Sequence, residues 1–169
     1  MITAYFASPD VFRDNAEEYC RMVSDVMETR NVKALLPVDN KSCSHREIYM
    51  QNISMIEKCT FVIANLVPFR GPSLDPGVAF EIGYAKAINK KIIGYYPPDF
   101  KDKNFNLRTK KFLTFRGMYC RMTQRNFPKI ESFGLTENLM IANSCYYIAS
   151  SLNEAVDVGS RLVLNGKTV

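Results

Sequence analysis

Two carboxylates in one short stretch are the residues best suited to chemistry in this sequence. Glu81 is the only acid in PGVAFEIGYAKAI, which otherwise reads as a buried helix. On that helix its neighbours three and four positions away are Gly77, Val78, Tyr84 and Ala85, so its side chain leaves an apolar face. Lys86, the one opposite charge nearby, faces elsewhere. A carboxylate among apolar groups is costly unless hydrogen-bonded and carries a perturbed pKa, the profile of a nucleophile or an acid–base group. The ordinary alternative is a Glu at the edge of the stripe that reaches water. Asp75 stands just before Pro76, a natural N-cap with proline at the first helical position, and capping is compatible with proton transfer. A retaining displacement at an anomeric carbon needs a carboxylate nucleophile and a proton donor for the leaving group, and this pair offers both.

The elements that must hold the pair follow from the hydrophobic pattern. Ile2 to Ala7, Phe61 to Val67 and Lys91 to Tyr96 are short apolar runs expected as buried parallel strands. Lys33 to Val38 carries a proline and is expected nearer an edge. Helices are expected from Asp10 or Asp14 to about Thr29, from Ser44 with its capping partner Glu47 to about Lys58, from Asp75 onward, and from about Thr136 to Ala155. This alternation implies a single-domain α/β fold over 1–169, a doubly wound parallel sheet flanked by helices. Such a sheet gathers its site at the carboxyl ends of its strands. That brings together Tyr5 to Asp10, Asn65 to Asp75, and Glu81. Asn65 is also in place to cap a turn, and Phe12 to stack on a ligand or to staple the first helix.

Composition narrows the function. Hydrophobic residues at 47% and charged residues at 23% describe a globular chain, and no apolar run is long enough for a membrane span. The five cysteines are odd in number and never spaced CxxC, which predicts reduced thiols and a cytoplasmic protein. No metal site is expected, since His45 is the only histidine and reads as solvent-facing. No GxGxxG or GxxxxGK[ST] follows a strand, so neither a dinucleotide nor a P-loop nucleotide cofactor is indicated. Between Phe100 and Ile130 nine basic residues stand against Asp102 alone. With its aromatics the block has the composition of a nucleic-acid patch, but a solvated loop region or a subunit interface is the commoner outcome, and nucleic acid is not the expected partner.

The blocks TAYFASPDVF, IYMQNISMIEKCTFVIANLVPFRGPSLDPGVAFEIGYAKA and ENLMIANS, in that order, are similar to the nucleoside 2-deoxyribosyltransferase family. The resemblance implies a flavodoxin-like fold, no cofactor, a homo-oligomer with shared active sites, and base exchange on 2′-deoxyribonucleosides with free nucleobases through a covalent deoxyribosyl enzyme. It places Glu81 at the nucleophile position of EIGYA, Asp75 at the acid that exchanges a proton with the base, and Tyr5 at the tyrosine that orients the nucleophile. Asn138 falls where a neighbouring subunit supplies an asparagine to the sugar 5′-hydroxyl. Asn52 stands where some members carry an aspartate, leaving a sugar or base contact there, and Phe12, Asp10 and Asn65 complete the expected substrate-binding set. The tail beyond Ala155 departs from members whose terminal carboxylate enters the neighbour's site. Two other functions compete: an N-glycosidic hydrolase of deoxynucleosides or deoxynucleotides, and a nucleotide-sensing module. The paired carboxylates argue against the sensor, and the absence of an SxRGG pattern beside Ser8 and Arg13 argues against a phosphate-holding hydrolase.

Overall fold

Alternating apolar and amphipathic segments become, in the computed structural model, one parallel sheet covered on both faces. Residues 1–37, 43–115 and 130–164 are described. The strands are β1 (Ile2–Ala7), β2 (Val32–Leu35), β3 (Phe61–Asn65), β4 (Lys91–Tyr95) and β5 (Tyr147–Ala149), paired in the order β2-β1-β3-β4-β5, all parallel. This is the flavodoxin-like order. A short 3-10 turn (Pro9–Phe12) leaves β1, and the helices are α1 (Ala16–Glu28), α2 (His45–Lys58), α3 (Pro76–Ala87), α4 (Phe105–Phe115), α5 (Leu139–Ser144) and α6 (Leu152–Leu164).

Because side chains alternate across a strand, β1 feeds two cores. Tyr5 and Ala7 join Ile56 of α2 with Val78 and Ile82 of α3, while Ala4 and Phe6 join Val23 and Met27 of α1 with Ala155 and Val156 of α6. Every residue of β3 is buried, which is why a continuous apolar run encodes it. The Ser44–Glu47 capping box opens α2 as expected, and His45 is exposed on its first turn.

The sequence expectations need correction at three places. The segment Thr136 to Ala155 is not one helix: α5 ends at Ser144, Tyr147–Ala149 extends the sheet as β5, and α6 then runs to Leu164. Asn143 and Ser144 turn their side chains back onto the carbonyls of Leu139 and Met140, closing the short helix, and the following Tyr-Tyr-Ile run suits a pleated edge better than a helix. The first helix starts at Ala16, later than Asp10 or Asp14, because the chain first makes the 3-10 turn. The basic block is neither all loop nor uniformly solvated: Phe105–Phe115 forms α4 and Arg108 is buried, while Lys111 stays exposed and paired with Asp102 at 2.8 Å. Val38 and the block's Arg116, Arg121, Arg125, Lys129, Tyr119 and Phe127 lie outside the described residues. Cys20, Cys43, Cys59 and Cys145 are free thiols. Among the described residues no helix is long and apolar enough to cross a membrane.

Candidate active site

Asp75 opens α3, and the geometry of that opening is set by its neighbour. Its Oδ1 accepts from the backbone N–H groups of Gly77 at 2.8 Å and Val78 at 3.2 Å. A Cβ on residue 77 would stand 2.8 Å from that oxygen, so glycine there lets the carboxylate fold over the helix end. The other Asp75 oxygen has no hydrogen-bond partner among the described residues. Helix α3 then buries Val78, Ile82 and Ala85 against the sheet, which carries Glu81 to the inner side of the same cavity.

Glu81 is met there by Tyr5. The Tyr5 phenol, fully buried on β1, donates to Glu81 Oε1 at 2.6 Å. Burial pushes the Glu81 carboxyl up to about 7; the Tyr5 hydrogen bond pulls it down, and the Asp75 charge adds to the rise. Burial, followed by the Glu81 charge, holds the Tyr5 hydroxyl far above its ordinary range, so it stays a donor.

The cavity holding both carboxylates measures about 300 Å³. Ser8, Val11 and Phe12 wall it after β1, Pro37 after β2, and Ile48 and Asn52 from α2. At its mouth, Phe12 stacks on Phe69 with ring centroids 5.6 Å apart. The Arg70 guanidinium lies 4.5 Å from the Phe69 ring centre and 5.2 Å from that of Phe12. Arg70 adopts a left-handed backbone with φ of 55°, the sharp turn that folds it back over these rings.

The remaining expected site residues sit elsewhere. Asp10 is buried and satisfied: it accepts from the Ser8 hydroxyl, from Arg13 Nε, and from Asn65 Nδ2 at 3.1 Å. Asn65 in turn accepts from the Val67 N–H at 3.1 Å, the turn-capping role open to it from sequence. This cluster backs the cavity and separates it from a larger cleft of about 590 Å³ lined by Arg13, Tyr19, Asn65, Tyr95 and Phe100. The larger cleft carries Asp99 and Asp102, but Asp102 is half exposed and paired with Lys111, and neither is held by a buried phenol as Glu81 is by Tyr5, so chemistry outranks size in choosing between the two. Asn138 lines neither cavity; its Oδ1 caps α5 through the Met140 N–H at 3.0 Å, and its Nδ2 donates to Glu131 at 3.2 Å.

Sequence reasoning missed the Phe69–Arg70 lip, although an aromatic–arginine pair inside a Pro/Gly-rich loop was a signal for it. Nor does the sequence single out Glu137 within the ENLM block or set Arg108 apart from the other basic residues.

A 2-1-3-4-5 parallel sheet with a partly buried carboxylate pair beyond its strand ends defines a flavodoxin-like α/β protein whose candidate site brings two acids to one cavity. The chain belongs to the nucleoside 2-deoxyribosyltransferase family, whose model matches residues 4–140. A 2-desoxiribosyltransferase from Leishmania mexicana is similar in structure, with a TM-score of 0.72 and 30% identity over 95% of this chain and 98% of that one. A 2-deoxyribosyltransferase from Bacillus psychrosaccharolyticus shares the fold at 15% identity and a TM-score of 0.55, covering 92% of this chain and 90% of that one. An uncharacterized protein of Schizosaccharomyces pombe is 29% identical over 101 residues, 54% of this chain and 48% of that protein, so the match spans about half its length.

Proposed function

We propose that the protein moves 2-deoxyribose between nucleobases by double displacement through a covalent ester on Glu81. The observation that carries the reading is the joint placement of Glu81 and Asp75 on one cavity, with Tyr5 donating to Glu81 at 2.6 Å. Glu81 as carboxylate attacks C1′ of a 2′-deoxyribonucleoside. The C1′–N bond breaks, the base leaves with the bonding pair, and Asp75 gives it a proton. In the second half, a ring nitrogen of the incoming base attacks C1′, the ester bond returns its electrons to Glu81, and Asp75 takes back the proton. Two inversions leave the sugar's configuration retained. Tyr5 keeps Glu81 aimed, and its hydrogen bond favours the ionised form the first step needs.

The other roles follow from position. Phe12, with Phe69 behind it, offers a face for the base, and Asn52 a polar contact within the cavity. Asp10 and Asn65 support the wall instead of touching the sugar. For Asn138, which caps α5 away from this cavity, the proposed role at the 5′-hydroxyl of a neighbouring subunit's substrate rests on the family resemblance and calls for a homo-oligomer. A neutral nucleoside is favoured over a nucleotide because Ser8 and Arg13, the hydroxyl and cation after β1, are both held by Asp10. The test is to incubate the protein with 2′-deoxyinosine and free adenine and separate the products. New 2′-deoxyadenosine is expected; hypoxanthine without it would mean that water, not a base, accepts the sugar.

A further inference from the structure

Glu137 has no solvent exposure, and both of its oxygens are engaged. Oε1 accepts from the Ser73 hydroxyl and the Leu74 N–H, each at 2.7 Å. Oε2 accepts from Arg108 Nη2 at 3.1 Å and from the Asn138 N–H at 3.3 Å. Arg108, 6% exposed, donates in addition to the carbonyls of Pro72, Asp102 and Thr136, each at 2.9 Å. A buried ion pair is costly to form unless such bonds satisfy its remaining donors and acceptors, and replacing it by apolar residues is often neutral or better. This pair joins the loop before α3 to the segment before α5, and its nearest anchor, Leu74 N–H, lies one residue before Asp75.

We infer that Glu137 and Arg108 are positioning residues for the proton-transfer step, fixing the loop 72–74 so that Asp75 meets the leaving base. The inference rests on the role proposed for Asp75. The cap bonds to Gly77 and Val78 orient Asp75 against the helix end, and Glu137 fixes the chain on its other side. Without that second anchor the chain at Ser73 and Leu74 loses its buried partner, and Asp75 is held by its cap bonds alone.

The test uses Glu137→Gln and, should that variant fail to fold, Ser73→Ala, which removes one bond and keeps the ion pair. Base release is measured from 2′-deoxyinosine and from 7-methyl-2′-deoxyguanosine, whose base departs without needing a proton. Loss of roughly tenfold or more on deoxyinosine is expected for Glu137→Gln, against less than about threefold on the methylated donor, with Ser73→Ala smaller in the same direction. Amide exchange in 73–78 should quicken while β1 and β3 keep their protection. Equal loss on both donors, or unchanged exchange at 73–78, overturns the inference. If the unaltered protein releases base from neither donor, the proposed reaction falls, and amide exchange alone decides whether Glu137 holds this loop.

Discussion

At neutral pH Glu81 is divided between its neutral and ionised forms, because burial raises its pKa to about 7 against the pull of Tyr5. The nucleophile's role proposed for Glu81 needs the ionised form, so kcat/KM should fall as pH drops through about 7. Tyr5→Phe removes the contact that lowers the pKa, and the acidic limb of the pH profile should move to higher pH; a limb that stays in place would separate Tyr5 from Glu81. The same shift has a stability consequence of definite sign. The folded state keeps the Glu81 proton up to about pH 7, whereas the unfolded chain gives it up near the ordinary carboxylate value, so stability is lost as pH rises between the two. At about 1.4 kcal/mol per pKa unit, discounted for partial exposure, Glu81→Gln should stabilise the fold by about 1–3 kcal/mol at about pH 8 and by little at about pH 5. Urea denaturation of both proteins at the two pH values checks this, and equal stabilisation at both would place the cause elsewhere.

Among the elements, α6 packs on the sheet through a residue without a side chain. A Cβ on Gly159 would lie 2.1 Å from the Phe61 ring, and Phe61 is fixed at the start of a wholly buried strand. Gly159→Ala should therefore cost about 1–3 kcal/mol, read as a lowered denaturant midpoint, unless α6 shifts outward. The sequence made β1, β3, β4, α2 and α3 legible because each has one dominant signal: a continuous apolar run, a capping box, or the Asp-Pro start. That Glu81 and Asp75 meet at one cavity was legible too, Glu81 as the lone acid in an apolar helix and Asp75 as the N-cap before Pro76. The region after Thr136 was not, since ENLMIANSCYYIAS mixes a cap, two side chains that bond back to the helix, and a β-favouring triplet in fourteen residues. Periodicity needs longer windows than α5 and β5 provide. Glu137 and Arg108 are not legible in the sequence because the ion pair that buries them joins residues twenty-nine apart in the chain.

At the scale of the whole molecule, several large apolar side chains remain in water among the described residues. Tyr49 and Phe80, each 50% exposed, stand together on the α2–α3 face with ring centroids 6.1 Å apart. Met140 on α5, 70% exposed, and Tyr146 and Tyr147 beside the sheet edge form the second set. The homo-oligomer of the proposed function would have such apolar side chains available to cover. If neighbouring subunits complete each other's sites, co-expressed Glu81→Ala and Asn138→Ala chains should regain part of the activity each lacks alone, because a hybrid holds one site with both residues intact. No recovery in hybrids isolated by two affinity tags would confine Asn138 to its own chain.

The covalent step is tested most directly by trapping it. A 2-fluoro-2-deoxynucleoside should react slowly, since fluorine opposes the positive charge that develops at C1′, and the sugar should remain on the protein. Peptide mass spectrometry is predicted to find one fluorodeoxyribosyl group on Glu81, absent when Glu81→Ala is treated alike. An adduct on another residue, or base release with no adduct under conditions that trap half a turnover, would contradict the account.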